Sequence, residues 1–144
     1  MIVLGASLGG VHAVQALLSL LPATLPVPLV IVLHRHRDYD SGLVELLQLH
    51  SALPVMEIVD KQPIEPATVY VAPADYHVLI DADHFALCVD EPVHHARPSI
   101  DVLFESAAAA APPGLIGVIL TGGGEDGAPG LAEIERRGGI AIRF

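Results

Sequence analysis

Three fully apolar runs of strand length, each emptying into a residue able to do chemistry, constrain this chain more than any other feature. The first, Met1 to Gly5, leads into Gly5-Ala6-Ser7-Leu8-Gly9-Gly10; the second, Pro28 to Leu33, ends at His34. The third, Leu115 to Leu120, delivers Thr121-Gly-Gly-Gly-Glu-Asp126-Gly127. Apolar runs bounded by turn residues have the character of strands buried on both faces. Helical periodicity separates the first two: Val11, Val14, Leu17, Leu18 and Leu21 share a face, and Pro22 closes the segment. After the second strand, Ser41 is expected to cap a helix with Leu43, Leu46, Leu47 and His50 on one stripe. Strand and helix in alternation predict an α/β, doubly wound, mainly parallel sheet with helices on both faces.

The middle of the chain breaks this rhythm. Thr68–Ala72, Tyr76–Ile80 and Phe85–Val89 are short strand-like runs, with tight turns at Pro73-Ala74-Asp75 and Asp81-Ala82-Asp83. They predict a short antiparallel hairpin excursion from the parallel architecture. Arg97-Pro98-Ser99 then opens a helix, with Ser99 as N-cap and Asp101 set against the positive helix end. That helix continues to Ala111, where Pro112-Pro113-Gly114 ends it. A last helix, Leu131 to Arg137, stops at Gly138-Gly139 before Ile140-Ala-Ile142.

Composition excludes several classes. The 144 residues are 52% hydrophobic, enough for one domain with one core. A mean hydropathy of +0.55 argues against disorder, yet no unbroken apolar run reaches the roughly 18 residues of a membrane span. No membrane insertion is expected. No basic stretch or cleavage site marks a signal peptide, and a single cysteine, Cys88, allows no internal disulfide, so a cytoplasmic location is expected. With seven Lys plus Arg and a net charge of −10, the chain lacks the cations that phosphate backbones require, and no nucleic acid partner is expected.

In an open parallel sheet, ligands bind outside the carboxyl ends of the strands. Ser7, His34 and Asp126 follow three such ends and therefore fall on one edge. They are a nucleophile, a base and an orienting carboxylate, the parts of a hydrolytic triad. Ser7 would attack an ester carbonyl, His34 would remove and return the proton, and Asp126 would hold the imidazole tautomer. Backbone N–H groups around Gly9, Gly10 and Gly122–Gly124 are candidates for the oxyanion hole, because glycines leave the backbone open to close approach. Ser7 also precedes a helix N-terminus, which favours developing negative charge.

The same residues carry a family resemblance. The block Gly5-Ala6-Ser7-Leu8-Gly9-Gly10, the Val32-Leu33-His34 strand end and Val69-Tyr70-Val71-Ala72-Pro73 with His77 come first. Arg97-Pro98-Ser99-Ile100-Asp101-Val102-Leu103-Phe104 and Leu120-Thr121-Gly122-x-Gly124-x-Asp126-Gly127-Ala128 follow. Together, and in this order, they resemble the catalytic domain of CheB methylesterases from Gly5 to about Gly139. The resemblance implies a Rossmann-like fold and hydrolysis of glutamyl methyl esters on the cytoplasmic domains of methylated chemotaxis receptors. It also implies deamidation of receptor glutamines in some members, the triad Ser7, His34 and Asp126, and no cofactor. Three positions lining the cleft depart from the family pattern: Leu8 stands for a usual Thr, Gly123 for a usual Met and Glu125 for a common Asn. Gly123 keeps its N–H, whereas Glu125 adds charge beside Asp126 and is expected to raise its pKa. Residues 1–144 read as a single such domain, without the family's C-terminal strand and helix and without a preceding receiver domain.

Other classes compete. Gly5-Ala6-Ser7 followed by glycines also resembles the opening of dinucleotide-binding reductases, with Arg35 or Arg37 as a phosphate partner. However, Lys61 is the only lysine, no tyrosine stands four residues before it, and His34 takes the place of the acidic ribose partner. Among eight histidines, His34 and His36 share a side of an extended segment and His94-His95 are adjacent, but no recognisable ligand set is complete. No metal is expected. His77, His84, His94 and His95 read as polar surface or cleft-lining residues. A catalytically impaired interaction module of CheB type is the remaining alternative.

Overall fold

A computed structural model of the chain describes residues 1–34, 42–110, 112–120 and 124–144, without the Leu8 side chain. The first apolar run forms β1 (Ile2–Ala6), and a 3₁₀ turn (Leu8–Gly10) leads into α1 (Val11–Leu20). Next come β2 (Leu29–Leu33), α2 (Leu43–Gln48), β3 (Val55–Glu57) and β4 (Val69–Val71). The hairpin β5 (His77–Asp81) and β6 (His84–Cys88) precedes α3 (Ile100–Ala110), β7 (Ile116–Leu120), α4 (Ala128–Arg136) and β8 (Ile140–Arg143).

Six strands make one parallel sheet in the order β3-β4-β2-β1-β7-β8, and β5 pairs with β6 as a separate antiparallel ribbon. The doubly wound α/β architecture is therefore as the sequence predicts, with two corrections in the middle. The run at 68–72 is not part of the antiparallel excursion; β4 is a buried parallel strand between β2 and β3. β3 escapes the sequence because it has three residues, Val-Met-Glu, too few for a periodic signal. Helix α4 also begins at Ala128, three residues before the apolar pattern, with Pro129 tolerated in its first turn. The expected Ser41 cap lies outside the described residues, and Gly42 stands immediately before α2.

Alternation along β2 divides the core. Leu29, Ile31 and Leu33 face Val14 and Leu18 of α1 and Leu47 of α2. Val30 and Val32 face the opposite layer, with Leu103 and Phe104 of α3, Leu131 and Ile134 of α4, and Val78 and Phe85 of the hairpin. All five β2 residues are essentially solvent-free, which explains why the strand is apolar throughout. Among the described residues no helix is long and apolar enough to cross a membrane.

Candidate active site

The strand order positions the site before any side chain does. The chain proceeds from β1 to one side of the sheet through β2, then returns to the other side at β7. The crevice at such a reversal is where open α/β sheets bind ligands. Register fixes the rest. Ala6 is level with Leu33 on one side and with Leu120 on the other. The residues that follow these ends therefore emerge side by side, and the His34 N–H donates to the Ala6 carbonyl at 3.0 Å.

Ser7 has extended backbone (φ −74°, ψ 172°) and stands at the N-cap of the 3₁₀ turn. A serine there ordinarily accepts a hydrogen bond from the turn with its Oγ. Here the side chain makes no capping bond; the Gly10 N–H is satisfied by the Ser7 carbonyl instead, at 2.8 Å. The hydroxyl is thus left uncommitted at the positive end of a helical segment. Ser7, His34 and Asp126 line one cavity of about 40 Å³, together with Ile100, Ile119, Gly124, Ala128 and Arg143. Among the described residues, no hydrogen bond joins Ser7 to His34.

His34 Nε2 lies 2.8 Å from Asp126 Oδ2, with the imidazole 29% exposed and the carboxylate 3% exposed. The proton on Nε2 leaves the lone pair on Nδ1. Asp126 is held from three further directions: the Ser99 hydroxyl donates to Oδ1 at 2.7 Å, the Ile100 N–H to Oδ2 at 2.7 Å and the Asp101 N–H to Oδ1 at 2.9 Å. Its carboxylate therefore sits on the open N-terminus of α3, where orphan donors and the helix dipole favour an anion. Burial pushes the carboxyl up, but the bonds from His34, the Asp101 and Ile100 N–H groups and Ser99 outweigh it and hold Asp126 below the ordinary 3.8. The sequence-based expectation that Glu125 raises this pKa is thereby overturned. Glu125 is 86% exposed and turned toward His94, with Oε2 3.3 Å from Nδ1, too well solvated to dominate a buried neighbour.

This arrangement carries a pH signature. A carboxyl lowered on folding stabilises the protein fully above its unfolded value near 3.8, and the contribution disappears as pH falls below that value toward the folded one. Urea midpoints measured from pH 5 to pH 3 should therefore fall more steeply for the wild type than for Asp126→Asn. Parallel curves would remove Asp126 as the source.

The helix that holds Asp126 is itself tied back. Asp101, in the first turn of α3, is 3% exposed and accepts the Gly130 N–H of α4 at 2.8 Å. Asp126 precedes α4 and caps α3, while Asp101 belongs to α3 and caps α4. Gly127 makes the intervening turn possible at φ +109°, a conformation that favours glycine. Ser99 behaves as the sequence predicts, accepting the Val102 N–H at 3.3 Å, while its own proton goes to Asp126. Pattern along the chain finds the local cap, not the reciprocal pair.

His77 corrects an expectation. Far from the surface, it is 1% exposed; Nε2 donates to the Glu91 carbonyl at 3.0 Å, and Nδ1 accepts the Ser99 N–H at 3.2 Å. It joins the hairpin and the segment after it to the start of α3. Arg97 reinforces that segment through Asp75, at 2.8 and 3.1 Å, and through the carbonyls of Val89 and Asp90. The result is a wall of a cleft of about 520 Å³, whose lining includes His34, His94, His95, Arg97, Glu125 and Asp126. His94 and His95 thus line a cleft, as expected, and His84 lies on the hairpin, part exposed beside Asp81 and Asp83. Gly9 is exposed, with open space where a Cβ would stand. Gly123, Arg35, His36 and Arg37 lie outside the described residues, as does the Leu8 side chain.

The class defined so far is an α/β domain with Ser7, His34 and Asp126 gathered at the switch point of its sheet. Residues 2–143 match the family model for CheB methylesterase, and the chain belongs to that family. A Leptospira interrogans relative is 42% identical over 98% of the chain and 74% of its own length. A Symbiobacterium thermophilum protein named protein-glutamate methylesterase/protein-glutamine glutaminase is 39% identical over 99% of the chain, which spans 40% of that protein. The protein-glutamate methylesterase FrzG of Myxococcus xanthus is 38% identical, with 99% of the chain matched and 43% of the relative. The crystal structure of the Thermotoga maritima CheB methylesterase catalytic domain superimposes with a TM-score of 0.93 at 32% identity, covering 98% of this chain and 77% of that one.

Proposed function

We propose that this chain is a serine hydrolase that removes methyl esters from glutamate side chains on the cytoplasmic domains of chemotaxis receptors. The observation that carries the mechanism is the uncommitted Ser7 hydroxyl in one cavity with an imidazole bonded to a buried carboxylate. The names of the relatives support the substrate class, and glutamine deamidation follows the same chemistry with ammonia as the leaving group. The lone cysteine and the receptor substrate fit action in the cytoplasm.

Substrate enters through the 520 Å³ cleft and excludes water, closing the Ser7–His34 hydrogen bond that the free site lacks. Ser7 Oγ attacks the ester carbon as His34 takes its proton at Nδ1. The carbonyl electrons move onto oxygen, where the N–H of Gly9, at the open start of the helical turn, and that of Gly123 receive the charge. Collapse breaks the bond to methoxide, which leaves as methanol with the proton from His34. Water, deprotonated by His34, then attacks the acyl-serine and returns Ser7 with a free glutamate carboxylate. Asp126 stays ionised throughout and offsets the imidazolium.

A fluorophosphonate probe should label the wild-type chain and not Ser7→Ala, and methanol release from methylated receptor membranes should fall by about 10³-fold or more in that variant. Absence of labelling in the wild type would instead support a non-catalytic interaction module.

A further inference from the structure

Arg143 ends β8 at the same edge of the sheet as Ser7 and lines the cavity that contains Ser7 and His34. It is exposed. In a chain of net charge −10, cations are few, and Arg97 is paired with Asp75 and both Arg136 and Arg137 with Glu133. Among the described residues no carboxylate pairs with Arg143. The acids of the site are engaged elsewhere, Asp126 with His34, Ser99 and the start of α3, and Glu125 with His94. Among the described residues Arg143 is therefore a guanidinium without a carboxylate partner, in the lining of the cavity that holds the candidate nucleophile.

We infer that Arg143 is a specificity residue that receives a substrate carboxylate next to the scissile ester, so that the site prefers an acidic peptide to a neutral one. This rests on the esterase reading, in which substrate is bound at Ser7. The physical need is clear: a strongly negative domain repels an acidic peptide, and a local cation at the reacting end offsets that field. Guanidinium suits the task because its forked donors match the two oxygens of a carboxylate. Exposure to solvent limits the effect to about fivefold in affinity.

The test uses two peptides carrying one glutamate γ-methyl ester, identical except that the residue beside it is Glu in one and Gln in the other. Dissociation constants are read by fluorescence anisotropy on the full chain carrying Ser7→Ala, which cannot turn them over. The Glu peptide should bind about fivefold tighter at low salt, and the preference should shrink at high salt, where the Debye length is short. Adding Arg143→Gln should abolish the preference, and adding Arg143→Lys should retain part of it. Equal affinities, binding of neither peptide, or a preference that survives Arg143→Gln overturns the inference. Hydrolysis of the same peptides by the unaltered chain separates the two proposals. An Arg143-dependent preference without hydrolysis sinks the esterase and leaves the anion site; hydrolysis without preference does the reverse.

Discussion

Replacing Asp126 with asparagine is expected to lower kcat/KM for a glutamyl methyl ester about 10³–10⁴-fold and to cost roughly 2–4 kcal/mol of stability. The two losses share one cause. The carboxylate accepts from His34, the Ser99 hydroxyl and the N–H groups of Ile100 and Asp101. An amide has one accepting oxygen, so its NH₂ must face donors at one of these positions. If the NH₂ turns to His34, the ring is held in the wrong tautomer and the lone pair leaves the nucleophile. If it turns to α3, the helix loses its anionic cap. Steady-state kinetics and urea denaturation measure the pair together. A variant that keeps activity within tenfold of wild type would show that His34 does not depend on Asp126 for its orientation.

His77→Ala is the largest expected stability change away from the candidate nucleophile, about 3–4 kcal/mol. The side chain is fully buried and uses both ring nitrogens, so its removal leaves a cavity, an orphaned Ser99 N–H and an orphaned Glu91 carbonyl. Because Ser99 donates to Asp126, activity should also decline in protein that remains folded. Denaturant melts should show a lower midpoint with an unchanged slope; a loss below about 1 kcal/mol would mean that water replaces the ring at little cost.

Much of this was legible in the chain itself. β1, β2 and β7 could be read because strands buried on both faces must be continuously apolar, and their ends place Ser7, His34 and Asp126 on one edge of any parallel sheet. β4 and β3 were misassigned or missed for a physical reason. Three-residue strands carry no period, and whether Val69–Val71 pairs in parallel or antiparallel fashion depends on partners 40 positions away in β2, such as Ile31 for Val71, and 14 away in β3. Glu125 shows the same limit in electrostatics. Adjacency to Asp126 in sequence suggested a raised pKa, whereas the three-dimensional donors around Asp126 lower it.

Sequence by itself determined the layers of the fold, the strand ends that bear the candidate triad and the local cap at Ser99, since each follows from nearest-neighbour patterning along one element. Only the tertiary structure decided what those residues are bonded to. Asp126 caps a helix that begins 26 residues earlier, Asp101 caps the helix that follows Asp126, and His77 reaches Ser99 across 22 positions. Hydrogen bonds between distant segments are fixed by how whole elements pack, and no local propensity encodes that. The apolar strand ends with which the sequence opens were sufficient to bring Ser7 and His34 to one edge; the packing of α3 against α4 is what turned Asp126 toward them.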